Sequence, residues 1–243
     1  MRIKEMVCTN TNGDSIVISK SSHFQPIEDF DTTSLKVNNT YVTNNGMQGA
    51  RPVASRLEPR DFSLLFFIDV KRRDEDWIQA RRDEIFKVFN PIYHPIRLQF
   101  KTATRELFID VEVETTPSIA PDRSNTNYLW HKVLVQLKAG NPNFQSAIEK
   151  RKEIALWGPN FSFPLQIPEG GIEMGYRSQS LIVNVLNEGQ IETGMTIQFR
   201  ALGTIEKPSL VNVNTQEELK INKSMAAGEV ITVNTRKGQK RIE

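Results

Sequence analysis

Apolar positions recur every second residue along most of the chain, the period of a strand with one buried face. The first such run, Ser15-Ile16-Val17-Ile18, follows the reversal signal Asn12-Gly13-Asp14 and predicts a strand entered through a tight turn. Residues 31–60 are rich in Asn, Thr, Ser and Gly, with Tyr41-Val42 and then Asn44-Asn45-Gly46. This predicts a long hairpin or exposed arm, of the kind that reaches a neighbour, rather than core. Next, Phe62, Leu64, Phe66, Ile68 and Val70 share one face, while Leu65 and Phe67 interrupt the polar face of Asp61, Ser63 and Asp69. The expectation is a central strand covered on both sides at its middle.

The period lengthens to that of a helix over residues 74–89. Asp74, Glu75 and Asp76 put negative charge on a first turn and Asn90-Pro91 stops the run. Ile78, Ile85 and Phe89, flanked by Trp77, Arg81 and Val88, form a stripe that must pack on a sheet. Strands return at residues 96–101 and where Leu107, Ile109, Val111 and Val113 alternate with Phe108, Asp110, Glu112 and Glu114. A loop over residues 117–127 follows, and Leu129, Val133, Val135 and Leu137 close a first unit spanning residues 1–139. Gly140-Asn141-Pro142 and Trp157-Gly158-Pro159 bracket a linker over residues 140–160, in which residues 147–156 predict a short charged helix. Short strands are then expected at residues 161–165, 180–186, 195–202, 209–213, 218–221 and 229–234, with turns at Asn187-Glu188-Gly189 and Lys237-Gly238. Together they predict a second domain, residues 161–243, built as a β-sandwich or jelly roll.

Composition narrows the function more than the fold. At 243 residues, 31 Lys and Arg balance 29 Asp and Glu to a net charge of +2, which removes the simplest support for dedicated nucleic-acid binding. The single cysteine, Cys8, excludes an intramolecular disulfide framework and suits synthesis in a reducing cytoplasm. The opening Met1-Arg2-Ile3-Lys4-Glu5 does not have the make-up of a signal peptide, and the longest apolar run, Leu64-Leu65-Phe66-Phe67-Ile68, is far short of the roughly 18 residues of a membrane span.

Candidate chemistry is sparse. His23, His94 and His131 have no metal-site spacing, and no nucleotide loop, nucleophile elbow or zinc-protease motif is present. His131, between Trp130 and Lys132 on an alternating strand, reads as structural or interfacial, and Cys8 as a small buried hydrophobe. Asp110, Glu112 and Glu114 could supply paired carboxylates for glycoside cleavage, yet they are successive residues on one strand face, the pattern of a solvated or interface surface. Lys71-Arg72-Arg73 with Arg81-Arg82 could grip phosphate, but Asp74, Glu75, Asp76, Asp83 and Glu84 interleave with them, so a mixed-charge, subunit-facing surface is favoured. Tyr128, Trp130, Phe161 and Phe163 could stack on sugars or pack in a core.

The order of these pieces adds a resemblance. It runs through Gly13-Asp14-x-Ile16-x-Ile18, the Asn/Gly-rich arm, Glu58-Pro59-Arg60-x-Phe62-x-Leu64 and the Arg81-Arg82 helix ending in Phe89-Asn90-Pro91. It continues through Gln136-Leu137-x-Ala139-x-Asn141-Pro142-x-Phe144, Phe161-x-Phe163-Pro164, Ile167-Pro168, Val185-Leu186-Asn187-Glu188-Gly189, Lys220-Ile221-Asn222 and Ile231-Thr232-Val233-Asn234-Thr235. In this order the chain resembles, over nearly its whole length, the distal tail protein family of long-tailed, non-contractile bacteriophages. The resemblance implies a mainly β protein: an N-terminal β-sandwich with one flanking helix that assembles into a hexameric ring, and a galectin-like β-sandwich projecting outward. It implies a structural hub in the virion with no catalytic residue, cofactor or metal. The ring would join the tail tube protein to a tail-associated fibre or lysin protein, with a receptor-binding protein or cell-wall carbohydrate as a further partner. DNA would pass through the channel unbound, and no membrane is involved. The family continues with further strands beyond the position of Ile242-Glu243, so the outer sandwich is expected to be short of strands. Within a ring, Arg81, Arg82, Asp83 and Glu84 on the helix and Tyr41 and Val42 on the arm are the candidate subunit contacts. The competing readings are a carbohydrate-binding module in the second domain and a cell-wall hydrolase using the acidic strand.

Overall fold

The computed structural model describes residues 3–28, 30, 35–44, 46, 48–70, 74–102, 104–154, 157–159, 175–177, 182–236, 238 and 240–243. The chain divides into two units, Met1–Lys150 and Arg151–Glu243.

In the first unit β1 (Glu5–Thr9) and β2 (Ser15–Ser19) form a hairpin, followed by the short β3 (Phe24–Pro26). A separate hairpin, β4 (Val37–Val42) and β5 (Arg51–Leu57), leads into β6 (Arg60–Asp69). Helix α1 (Glu75–Val88) and a single 3-10 turn, Pro91–Tyr93, precede β7 (Ile96–Lys101), β8 (Glu106–Ser118), β9 (Trp130–Ala139) and the two-residue β10 (Gln145–Ser146). The main sheet runs β8-β7-β1-β2-β3-β6-β9, and β9 pairs back onto β8, so seven strands close on themselves. Neighbours are antiparallel except β2 and β3.

Closure replaces the two facing sheets of the expected sandwich, and its cause is the length of β8. Residues from Glu106 to Val111 pair with β7, and residues from Glu112 to Ser118 pair with β9 on the other edge. Between these partners the register shifts twice, at Val113/Thr115 and Thr115/Ser118, and such irregularities bend and twist a strand. Pro117 lies inside this stretch and is buried. The expected loop therefore begins only after Ser118, because a bulged stretch tolerates a residue that cannot donate to the ladder. On the same edge of β8, Leu107 and Phe108 pair with β10.

The alternation read from the sequence sets the inside of this barrel. Phe62, Leu64, Phe66 and Ile68 from β6 face Val133, Val135 and Leu137 from β9. One end of the barrel is stopped by rings: Phe30 stacks on Phe62 at 4.8 Å, Phe144 meets Phe100 edge-on at 5.6 Å, and the Arg60 guanidinium lies 4.8 Å from the Phe144 centroid. The other end is covered by α1, whose Ile85, Val88 and Phe89 are fully buried while Trp77 and Ile78 pack at the margin. The helix has its expected limits, with Asp74 as N-cap and the Phe89 N–H donating to the Ile85 carbonyl. A buried asparagine ties it to the first hairpin: Asn10 Nδ2 donates to the Lys87 carbonyl at 3.0 Å, while Asn10 Oδ1 accepts from the Asn12 and Asp14 amides. Gly13, at φ +91°, supplies the left-handed residue this turn requires.

No helix forms over residues 147–154. The segment starts as a strand edge: the Ala147 amide donates to the Glu106 carbonyl, and the Ser146 hydroxyl accepts from the Ile148 amide and donates to its carbonyl, which draws this backbone away from a helical turn. Residues 155 and 156 lie outside the described residues, as do residues 161–165, where a strand was expected.

The second unit carries small sheets: β11 (Trp157–Pro159) with β12 (Gly175–Arg177), β13 (Thr196–Arg200) with β16 (Val230–Asn234) and β17 (Arg241–Ile242), and β14 (Ser209–Val211) with β15 (Glu218–Lys220). Ala201, Met225, Ile231 and Val233 form its small core. The strand expected at residues 180–186 is absent over residues 182–186. Ile182, Val185 and Leu186 are all largely exposed, so the apolar pattern there has no face to bury. Gly194 is required by packing, since a Cβ would stand 2.5 Å from the Thr235 carbonyl group.

Candidate assembly surfaces

An antiparallel pair in which every residue but Asn38 is exposed is the least self-sufficient element of the first unit. Two isolated strands are at best marginally stable in water, yet β4 and β5 keep Val37, Tyr41, Val42, Val53 and Leu57 in solvent. Register divides the hairpin into two unlike faces. Val37 lies opposite Leu57, Asn39 opposite Ser55 and Tyr41 opposite Pro52 on one side. Asn38 lies opposite Arg56, Thr40 opposite Ala54 and Val42 opposite Arg51 on the other, Val53 being the extra residue of a bulge. The first face is chiefly apolar and the second is basic. The base is held firmly: the Glu58 amide donates to the Lys36 carbonyl at 2.9 Å, and Lys36 Nζ lies 3.3 Å from Asp61. Asp61 also pairs with Lys138, which reaches Glu114 at 3.1 Å. Lys138 first and Lys36 second hold the Asp61 carboxyl below the usual carboxylate range.

The four helix residues expected at a subunit contact separate into two groups. Arg81 is half-buried, ion-paired to Glu84 at 2.7 Å, with its guanidinium 5.6 Å from the Trp77 ring. Arg82 is turned to the barrel and its Nη2 donates to His131 Nδ1 at 3.2 Å. Asp83 is exposed and accepts a hydrogen bond from Gln79 Nε2. The outward face of α1 is thus Glu75, Asp76, Gln79, Ala80, Asp83, Phe86 and Lys87. Tyr41 and Val42 sit near the free end of the hairpin, on opposite faces. Sequence reasoning missed Arg51, Arg56 and Phe86; the signal that could have found the first two is that residues 35–57 contain Lys36, Arg51 and Arg56 but no Asp or Glu.

Of the three carboxylates on the acidic strand, two are engaged locally. Asp110 takes a bidentate pair from Arg97 at 2.8 and 3.0 Å on the outer barrel face, and Glu114 is held by Lys138. Tyr128, in the loop before β9, and Trp130, at the start of β9, are both exposed, while Phe161, Phe163 and the Lys71-Arg72-Arg73 cluster lie outside the described residues. Burial pushes the Cys8 thiol upward, away from reactivity. Among the described residues no group of three His, Cys, Asp or Glu could hold a metal ion, and no helix is long and apolar enough to cross a membrane.

His131 is the one interior histidine. Burial first, and then the neighbouring Arg82 charge, hold it below its ordinary value of 6.5. The unfolded chain therefore takes up this proton more readily, so the His131 contribution is whole above about pH 6.5 and is lost as pH falls through that value toward the lowered folded one. We expect His131→Gln, which keeps an acceptor for Arg82, to flatten the fall in thermal midpoint between pH 7 and pH 5. Midpoints of the two proteins that run parallel across that window would remove His131 as the cause.

Comparison with known proteins places this geometry. The SPP1 Dit (gp 19.1) protein, described as a paradigm of hub adsorption apparatus in Gram-positive infecting phages, superposes with a TM-score of 0.56 at 13% identity over 94% of this chain and 78% of that one. A chain of the phage P2 baseplate in its activated conformation gives a TM-score of 0.49 at 10% identity, over 100% and 84%. No curated protein matches by sequence. The model of the phage tail protein RIFT-related domain matches residues 11–138, more than half of the chain and nearly all of the barrel with its hairpin and helix. The chain therefore belongs to the phage tail protein RIFT-related domain family and is a component of the phage tail.

Proposed function

We propose that this chain is the distal hub of the tail, a structural protein that forms a ring, hexameric by analogy with the distal tail proteins it resembles. The ring surrounds the channel through which DNA leaves and joins the last ring of the tail tube to a tail-associated fibre or lysin protein. The observation that carries this reading is the β4–β5 hairpin, which exposes both faces on a barrel that is otherwise closed. A closed barrel has no free sheet edge of its own to offer, so contact between copies falls to the appended elements. Tyr41, Val42 and Asp83 are the interface candidates left in solvent, while Arg81, Arg82 and Glu84 support the helix that carries Asp83. The net charge of +2 suits a channel through which DNA must pass, because phosphate contacts repeated around a ring would add up to tight, salt-dependent binding. In the same reading the boundary between domains lies within residues 140–160, and the second unit is a galectin-like sandwich.

Fold resemblance alone does not settle a role, so the test is assembly. Light scattering and negative-stain imaging of the chain, alone and with its tail tube partner, should show a closed ring six times the 27.8 kDa of one copy. A chain that stays monomeric at high concentration and with that partner would overturn the hub.

A further inference from the structure

We infer that the basic face of the hairpin in one copy docks along the outer face of helix α1 in the next, with Arg51 and Arg56 reaching Asp83 and Asp76. The inference rests on the ring reading and names the contact that would build it. Three observations converge. First, the charges complement each other and are unused. Residues 35–57 hold three cations and no carboxylate, and Arg51 and Arg56 project from the same hairpin face, opposite Val42 and Asn38. On the outer face of α1, Asp76 and Asp83 are exposed, and among the described residues neither they nor the two arginines have an ionic partner.

Second, the spacings agree. Asp76 and Asp83 are seven residues apart, two turns along one helix face, or about 10 Å at 1.5 Å per residue. Arg51 and Arg56, allowing for the bulged Val53, stand four strand positions apart, about 13 Å, and a guanidinium on its long stem readily covers the difference. Apolar groups match as well: Phe86 is 46% exposed one turn beyond Asp83, and Val42, beside Arg51, is 48% exposed.

Third, one copy carries the two surfaces at opposite ends of its barrel. The hairpin leaves at the Arg60 end of β6, and α1 covers the far end, where Arg82 meets His131. A copy cannot close this contact on itself. The contact is head-to-tail, the type that generates rings, and opposed charges fix its register more than its strength.

Charge exchange between copies tests it. Arg51→Glu with Arg56→Glu makes the hairpin acidic, and Asp76→Lys with Asp83→Lys makes the helix face basic; all four positions are exposed, so circular dichroism should show both proteins folded. Each variant alone should associate on the order of 100-fold more weakly than the parent, the loss shrinking at high salt. Mixed in equal amounts they should assemble again, because around an alternating ring acidic hairpins meet basic helices at one joint and basic hairpins meet acidic helices at the next. Sedimentation of the parent, each variant and the mixture reads all four states. If the parent forms rings and either variant does too, or if the mixture stays as dissociated as its parts, the hairpin–helix contact is wrong while the hub stands. A parent that never assembles removes the hub and this contact together.

Discussion

Phe66→Ala is expected to lower the unfolding free energy of the first unit by about 3–5 kcal/mol, the range for truncating a large core aromatic. Phe66 is fully buried at the middle of β6, opposite Val133 on one side and Pro26 on the other, and its ring meets Phe24 edge-on at 6.1 Å. Its neighbours cannot collapse into the space left behind, because β3 and β9 are each fixed by hydrogen bonds to further strands of a closed sheet. Against a typical total of about 5–15 kcal/mol, such a loss leaves the barrel barely folded. Phe67→Ala is the control. That side chain is only half-buried on the outside of the same strand, and its loss should cost about 1 kcal/mol through partial exposure already present in the native state. Urea unfolding followed by circular dichroism compares them directly. Equal losses would mean that β6 does not present alternate faces to the inside and outside of a barrel.

Those two adjacent residues mark how far the sequence could be read. Alternation is local, so the buried face of β6, the paired edges of β7 and the limits of α1 all follow from residues within a turn or two of each other. Closure is not local. It depends on β8 changing partners halfway along, and the bulges at Thr115 and the buried Pro117 resemble the start of a loop when the second partner, β9, is not in view. Charged residues misled for a related reason. Arg81 and Arg82 look solvated in a mixed-charge helix, but Arg82 finds His131, 49 residues away, only once β9 has taken its place in the barrel. The expected helix at residues 147–156 failed because β8 offers the Glu106 carbonyl to that segment, an alternative invisible to propensity. The hairpin was legible as an element but not as two faces, since the bulge at Val53 sets which residues face together.

Removal of the hairpin should separate folding from assembly more sharply than any point change. The Glu58 amide already closes on the Lys36 carbonyl at 2.9 Å, so a short Gly-Asn turn can join these residues in place of residues 37–57 without moving β6. None of the described residues among those deleted belongs to the barrel core, and the Lys36–Asp61–Lys138 chain of charges remains. No buried apolar contact of the barrel is lost, and shortening the connection lowers its closure entropy. The thermal midpoint of the first unit should therefore stay within a few degrees of the parent. Assembly should not survive. A ring made of one repeated contact depends on that contact at every joint, and the deletion removes one side of all of them at once. The shortened protein should sediment as a monomer at concentrations where the parent is ringed, and it should fail to enter parent rings as a minor component. A shortened chain that still forms rings of normal size would show that the hairpin serves another partner of the tail. A large fall in thermal midpoint would instead make the hairpin part of the fold, despite its exposure on both faces.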